Sequence, residues 1–221
     1  MHRQIVLDTE TTGISHQNGH RIIEIAAVEL IDRTLTEKHF HTYINPKRNI
    51  DEGAFRVHGI SAEFLQDKPV FKDIVDEFIA FINGSELIIH NAAFDMGFLE
   101  AEYKRIKPTG SIHQHVSVFD TLTFARKKHR GAKNNLDALC KRYKVNNNHR
   151  TLHGALLDAD LLARVYLAMT GGQIELFNDA ATAIDKTTHI DRKIKPLASS
   201  SPIIYANEEE LQAHKEFFEE L

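Results

Sequence analysis

The alternation of apolar and polar residues divides roughly the first 170 residues into short strands followed by amphipathic helices. Strands show a period of two or an unbroken apolar run, whereas helices repeat apolar positions three and four residues apart. The predicted strands are residues 4–8, 22–31, 38–44, 87–90 and 116–119. The predicted helices are residues 71–82, 95–106, 122–128, 136–143 and 156–169, preceded by a short helix from Ala62 that Ser61 caps. The order of these elements predicts an α/β domain whose first three strands form an antiparallel meander within a mixed sheet.

The pattern changes after Gly171 and Gly172, which predicts a domain at residues 1–172 and a tail at residues 173–221. Residues 178–197 are polar and charged without a firm period, and residues 198–202 have the composition of a linker. Residues 207–221 predict a short helix with Asn207 as its cap. We expect the linker region to be flexible and the final helix to bind a partner.

Composition leaves the partner open and excludes some classes of site. The 221 residues are 42% hydrophobic and carry a formal net charge of −4, so no basic excess indicates nucleic-acid binding. The single cysteine, Cys140, excludes a disulfide framework or a cysteine zinc site, and its place in an amphipathic helix predicts a buried apolar residue. Neither a signal peptide nor a membrane-spanning run is recognisable, so we expect a cytoplasmic protein.

The first candidate for chemistry is the end of the first strand. Asp8 and Glu10 are one residue apart, so both side chains project from one face of the strand while Thr9 points to the other. Two carboxylates at this distance repel each other unless a cation lies between them, and their oxygens suit Mg²⁺ or Mn²⁺. Alone, such a pair is more often an ordinary solvated strand end.

Two later stretches supply further acidic groups and histidines. A buried strand delivers His90 and Asn91 to its carboxyl end, and Asp95 begins the following helix, where a capping role is the simpler interpretation. His153 precedes Asp158 by five residues, which would separate the two side chains by about 140° on one continuous helix. If the helix begins just after Gly154, His153 lies on the preceding loop, faces Asp158 and suits a general base.

In order and spacing, Asp8, Glu10, Asp95, His153 and Asp158 resemble the DEDD exonuclease superfamily in its histidine branch. The other branch has a tyrosine at the position of Gly154, which excludes it. Four longer stretches are similar to the proofreading subunits of bacterial DNA polymerase III: residues 8–13, 57–60, 90–95 and 153–159. This resemblance covers roughly the first 170 residues and implies a ribonuclease H-like fold with five strands flanked by helices.

The resemblance also implies a role for each residue in a 3′–5′ exonuclease that uses two divalent ions. Asp8 would bridge both ions, Glu10 and Asp158 would hold the ion that activates water, Asp95 would hold the ion at the leaving group, and His153 would be the general base. Substrate contacts would come from eight positions: Thr9, Thr11, Thr12, Gly13, His58, His90, Asn91 and Phe94. Phe94 could equally be a core aromatic residue.

The tail carries the predicted partner sites. Gln173, Leu176 and Phe177 lie in a pentapeptide similar to the sliding-clamp-binding peptide that follows such nuclease domains. The final helix is similar to the segment that binds the polymerase (alpha) subunit, and a small accessory subunit on the nuclease face is a further partner that no residue here identifies. The expected substrate is the 3′ end of a DNA primer, and the expected location is the bacterial replisome in the cytoplasm.

Two other functions remain open on the sequence. An RNA exonuclease of the same branch would share the acidic residues and His153 but would lack the clamp-like peptide and the polymerase-binding tail. A non-catalytic adaptor between clamp and polymerase would share the tail, but we would expect it to have lost at least one of the five catalytic positions. Residues 173–221 therefore favour a replicative exonuclease over the first alternative, and the intact acidic set favours an enzyme over the second.

Overall fold

The computed structural model describes residues 2–147 and 152–171, and five strands form the centre of this part of the chain. The strands are β1 (Arg3–Thr11), β2 (Ile22–Ile31), β3 (Thr34–Tyr43), β4 (Glu86–Ile89) and β5 (Ser117–Asp120). They form one sheet in the order β3-β2-β1-β4-β5. The meander β1-β2-β3 is antiparallel, whereas β4 and β5 add in parallel beside β1. The predicted α/β domain with a mixed sheet is thereby confirmed.

Seven α-helices accompany the sheet in the described residues. They are α1 (Glu52–His58), α2 (Ala62–Leu65), α3 (Phe71–Ile82), α4 (Ala92–Ile106), α5 (Thr121–Lys128), α6 (Leu136–Tyr143) and α7 (Ala155–Thr170). Ser61 caps α2 as predicted, because its hydroxyl accepts a hydrogen bond from the Phe64 amide at 3.2 Å. The bounds of β2, α3 and α6 agree with the sequence prediction residue for residue.

The two faces of the sheet bury separate hydrophobic clusters. Ile5 and Leu7 project into a cluster formed with α3 and α4, whereas Val6 projects into a cluster formed with α6 and α7. Cys140 is fully buried in the second cluster, which confirms its predicted role as an apolar residue. By the same alternation, Thr9 belongs to the α4 face of β1, and Asp8 and Glu10 belong to the α7 face.

Besides shifts of one to three residues at the ends of other strands and helices, the structure differs from the sequence prediction in three main places. Helix α1 was not predicted, because Phe55 and Val57 remain almost half exposed and give no apolar stripe. Helix α4 begins at Ala92, so Asp95 lies in its first turn and does not cap it. Strand β3 begins at Thr34 and not at the predicted residue 38. A hairpin turn at Asp32 and Arg33, both with positive φ, pairs the residues from Thr34 onward with the end of β2.

The predicted tail lies outside the described residues. This applies to residues 173–221 with the clamp-like peptide, the linker and the final helix. Among the residues that are described, no helix has the length and apolar content needed to cross a membrane.

Candidate active site

The end of β1 brings Asp8, Thr9 and Glu10 to the wall of a cavity of about 350 Å³. Strand β1 lies in the middle of the sheet, between the antiparallel β2 and the parallel β4, so its backbone is fixed on both sides. Glu10 is 8% exposed and Asp8 is half-buried. The cavity lining is Asp8, Thr9, Glu10, His90, Asn91, Phe94, Asp95, Asn135, Leu136, Asp137, His153 and Asp158. The five predicted catalytic residues therefore lie around one cavity.

Asp95 reaches this cavity from the α4 side of the sheet. Asn91 precedes α4 in a left-handed conformation (φ 66°, ψ 53°), which turns the chain from β4 directly into the helix. Asp95 is 3% exposed, and its Oδ1 accepts a hydrogen bond of 2.7 Å from the Thr9 hydroxyl. Burial raises the pKa of Asp95 to about 7, and the negative charge of Asp120 adds to the rise, while the Thr9 hydroxyl opposes it. A bound cation would favour the ionised form of this carboxyl group.

His153 and Asp158 enter from the α7 side. Helix α7 begins at Ala155, and the backbone of the preceding Gly154 is extended. His153 therefore lies on the loop before α7, which is the arrangement in which it can face Asp158. His153 Nδ1 is 3.2 Å from Asp158 Oδ2. The His153 side chain is 45% exposed and the Asp158 side chain only 4%. The imidazole is thus open to a substrate, while the carboxylate that faces it is fixed in the protein.

The donor set fits a divalent metal ion. Glu10, His153 and Asp158 each offer one ligand atom, and these atoms lie within 4.8 Å of one another. Asp8 and Asp95 border the same cavity and add further carboxylate oxygens. Carboxylate-rich sites of this kind suit hard cations that prefer oxygen ligands. These residues can therefore hold a divalent cation at the end of β1.

Four of the eight predicted substrate residues line the cavity: Thr9, His90, Asn91 and Phe94. The ring of Phe94 is half-buried and lies 5.0 Å from that of Phe98, so it packs on the core and also borders the cavity. His90 Nδ1 is 3.0 Å from the Thr121 hydroxyl, and burial lowers the pKa of its imidazole. The contact with Thr121 holds the His90 ring in place, which suits a role in shaping the cavity.

The other four predicted substrate residues, Thr11, Thr12, Gly13 and His58, lie outside the described cavity wall. The Thr11 hydroxyl donates to the Gly13 carbonyl at 2.8 Å. Thr12 is fully buried, and its hydroxyl accepts a hydrogen bond from the Arg21 amide at 3.0 Å. A Cβ on Gly13 would lie 2.4 Å from the His20 ring, so this glycine permits the close approach of that side chain.

His58 is buried at the end of α1, where its Nδ1 accepts a hydrogen bond of 3.0 Å from the Ile60 amide. Burial lowers the pKa of His58, and the Thr11 carbonyl and the charge of Glu24 act in the opposite direction. Contact of a nucleotide with Thr11, Thr12, Gly13 or His58 stays a prediction.

Sequence reasoning missed Asn135, Leu136 and Asp137, which complete the cavity wall from the start of α6. Asn135 caps α6 by accepting a hydrogen bond from the Ala138 amide at 3.0 Å. An asparagine before an amphipathic run does predict a helix start. No local signal, however, indicates that this start lies opposite β1, since that placement depends on the packing of α6 against α7.

Comparison with known proteins agrees with this geometry. The family profile described as exonuclease matches residues 5–166. The DNA polymerase III subunit epsilon of Salmonella typhimurium is 51% identical over 220 residues, which cover 96% of this chain and 90% of that protein. The corresponding subunit of Rickettsia typhi is 48% identical over 229 residues, which cover 99% and 96%.

Solved structures give the same fold. Exonuclease X in complex with 5′ overhanging duplex DNA is 26% identical, with a TM-score of 0.61 over 77% of this chain and 92% of that one. Exonuclease I is 17% identical, with a TM-score of 0.69 over 82% and 44%, a likeness of fold alone. The chain therefore belongs to the exonuclease family and, within it, to the epsilon subunits of DNA polymerase III, and it is a 3′–5′ proofreading exonuclease.

Proposed function

We propose that this exonuclease removes mismatched nucleotides from the 3′ end of a DNA primer with the help of two divalent ions, Mg²⁺ or Mn²⁺. The supporting observation is the convergence of Asp8, Glu10, Asp95, His153 and Asp158 on one cavity. When bound, such ions activate the attacking water and stabilise the charge on the phosphate and on the leaving 3′ oxygen. Glu10 and Asp158 would hold one ion, Asp95 the other, and Asp8 both.

In this proposal, His153 accepts the proton of the attacking water. As the water oxygen bonds to phosphorus, its proton passes to the imidazole and the bond between phosphorus and the 3′ oxygen breaks. The 3′ oxygen takes a proton from solvent to become a hydroxyl group, and the imidazolium returns its proton to solvent. The products are a nucleoside 5′-monophosphate and a strand shortened by one residue. Asp158, 3.2 Å from His153 Nδ1, would orient the ring and stabilise its positive charge. The exposure of His153 keeps it within reach of a substrate on the open side.

Preference for a mismatched end would come largely from the substrate. A mismatched terminal nucleotide costs less free energy to unpair than a matched one, so it enters a single-strand cavity more readily. Phe94 offers an apolar ring on the cavity wall, and stacking on an aromatic ring stabilises a base by about 1–3 kcal/mol without reading its identity. His90 and Asn91 would complete this contact.

The partners proposed for the tail are inferred from the sequence alone. We propose that Gln173, Leu176 and Phe177 bind the sliding clamp and that the final helix binds the alpha subunit of DNA polymerase III, in the cytoplasmic replisome. The relatives at about half identity extend over this region, since alignments cover 96% or more of the chain.

The test is the shortening of a primer, labelled at its 5′ end, that ends in a 3′ mismatch on a DNA template. Wild type and Asp8→Ala are compared with Mg²⁺ or Mn²⁺ and with chelator, and an RNA strand of the same sequence serves as the control. We expect metal-dependent loss of nucleotides from the 3′ end, no activity in the variant, and slower cleavage of RNA. Preferential degradation of RNA would instead support an RNA exonuclease. Cleavage of neither strand by folded protein would support the adaptor.

A further inference from the structure

A buried carboxylate that the mechanism does not use lies beside the active site. Glu24 on β2 pairs directly with Glu10 on β1 and with Tyr43 on β3. Residues paired across strands place their side chains on the same face, so Glu24 faces α7 as Glu10 does. Glu24 is 2% exposed and Glu10 is 8% exposed. Two adjacent buried carboxylates are unfavourable unless each is compensated by hydrogen bonds or opposite charge.

Both oxygens of Glu24 have defined partners. His41 Nε2 lies 2.7 Å from Oε1, and the backbone amide of Ala155 donates to Oε2 at 3.2 Å. Ala155 is the first residue of α7, and the preceding Gly154 supplies no side-chain cap. A helix start has amide groups without intrahelical acceptors, and a carboxylate there is stabilising. Glu24 therefore takes the place of a capping residue, although it lies 131 positions away along the chain.

The segment that joins His153 to α7 is consequently held on both sides. The His153 amide donates to the Val57 carbonyl at 3.1 Å, and the Ala155 amide donates to Glu24. A groove of about 480 Å³ borders this segment, with Glu24, His41, Gly154 and Leu156 in its lining. Ala155 is also fully buried, so the bond to Glu24 is the polar contact that accompanies the apolar packing of the α7 start.

We propose that Glu24 is a positioning residue that fixes His153 and Asp158 relative to Glu10. It contacts neither substrate nor metal in this proposal, which rests on the roles given above to His153 and Asp158. The bond from the Ala155 amide ends on Glu24, and Glu24 lies on β2 directly beside Glu10 on β1. The start of α7 is therefore tied to the strand that is paired with the one carrying Asp8 and Glu10. Loss of this bond would let His153 and the first turn of α7, with Asp158, shift away from Glu10.

Two conservative variants separate the effect of the length of the Glu24 side chain from the effect of its negative charge. Glu24→Gln keeps the length of the side chain and an oxygen that can accept from the Ala155 amide, while its NH₂ group can donate to a neutral His41. Glu24→Asp keeps the charge, but it is one methylene shorter and no longer reaches Ala155. Glu29→Asp is the matched control, since Glu29 is a carboxylate on the same strand, 4% exposed, bound to Arg3 and Thr36. It lies far from the start of α7 in the sheet.

The first measurement is amide hydrogen exchange of Ala155 and His153 in metal-free protein. We expect exchange at Ala155 to be about tenfold faster in Glu24→Asp than in wild type, Glu24→Gln or Glu29→Asp, the effect of losing one hydrogen bond. The second is hydrolysis of single-stranded DNA, where we expect Glu24→Asp to lower kcat about tenfold or more with little change in KM. Glu24→Gln should restore kcat to near the wild-type value.

Equal kcat in wild type and Glu24→Asp, or unchanged exchange at Ala155, would overturn the proposal. Loss of kcat in Glu24→Gln with retention in Glu24→Asp would also overturn it, because charge and not reach would then be what matters. These outcomes differ from failure of the proposed function, in which the wild-type protein itself would show no metal-dependent cleavage.

Discussion

The hydroxyl of Thr9 donates a hydrogen bond of 2.7 Å to Oδ1 of Asp95, across 86 positions of sequence. Thr9 lies on the α4 face of β1, whereas its neighbours Asp8 and Glu10 lie on the α7 face. The carboxylates of the site therefore approach from both faces of one strand end. Thr9 is the direct link between the strand and the carboxylate that arrives from the opposite side of the sheet.

Replacement of this hydroxyl should weaken metal binding. Thr9→Val keeps the shape of the side chain but removes the bond that orients Asp95 and opposes the rise in its pKa. We expect the metal concentration for half-maximal cleavage to rise about tenfold, since bonds to charged groups are among the stronger ones. Thr42→Val, on β3, is the control, because its hydroxyl bonds to the neighbouring Tyr43 carbonyl. Identical metal titrations for the two variants would contradict this role for Thr9.

The buried carboxyl group of Asp95 predicts an unusual dependence of stability on pH in metal-free protein. Its pKa rises from 3.8 to about 7 on folding. As the pH rises, the unfolded state thus loses this proton first. The free energy of unfolding therefore falls between these two pH values and is constant above the higher one. Asp95→Asn removes this loss of stability and keeps an oxygen that accepts from Thr9.

The measurement is thermal unfolding in chelator at pH 5 and pH 8. We expect Tm of Asp95→Asn to exceed that of wild type by more at pH 8 than at pH 5. Addition of Mn²⁺ at pH 8 should raise Tm of the wild type more than that of the variant, because a cation stabilises the ionised carboxylate. A difference in Tm that is the same at both pH values would show that Asp95 titrates normally.

Two aspartates on α7 form a matched pair. Asp158 is buried against His153, whereas Asp160 lies two residues on, partly exposed, in an ion pair with Arg164. Asp158→Asn should lower kcat by more than about 100-fold, because a proposed metal ligand and the partner of the proposed general base are both changed. Asp160→Asn should leave activity and Tm close to the wild-type values, since exposed pairs contribute little. Similar activity in both variants would place the chemistry elsewhere.

Truncation after Phe177 should separate hydrolysis from polymerase binding. The described domain contains the complete acidic cavity, so the shortened protein should cleave single-stranded DNA at the rate of the full chain. It should no longer co-elute with the alpha subunit in gel filtration, because the final helix is missing. Co-elution of the truncated protein would exclude that helix as the main polymerase contact.

Local patterns determined much of this protein. A nearly continuous apolar run predicted β2, and a period of 3.6 residues predicted α3 and α6, with the bounds that the structure has. These patterns reflect burial of both faces of the strand and of one face of each helix. The types and order of the acidic residues also followed from the sequence. The sequence left two interpretations of the spacing from His153 to Asp158, and the start of α7 after Gly154 decides between them. The signals for strands and helices are each contained within one short segment of the chain.

Only the tertiary structure decided how these pieces meet. The bond from Thr9 to Asp95, the closure of the cavity by the start of α6, and the capping of α7 by Glu24 all join segments far apart in sequence. Helix α1 escaped detection for a related reason, since its apolar residues face outward and its position depends on neighbouring segments. Strand register and helix packing set these contacts, and neither can be predicted from the periodicity of a single segment.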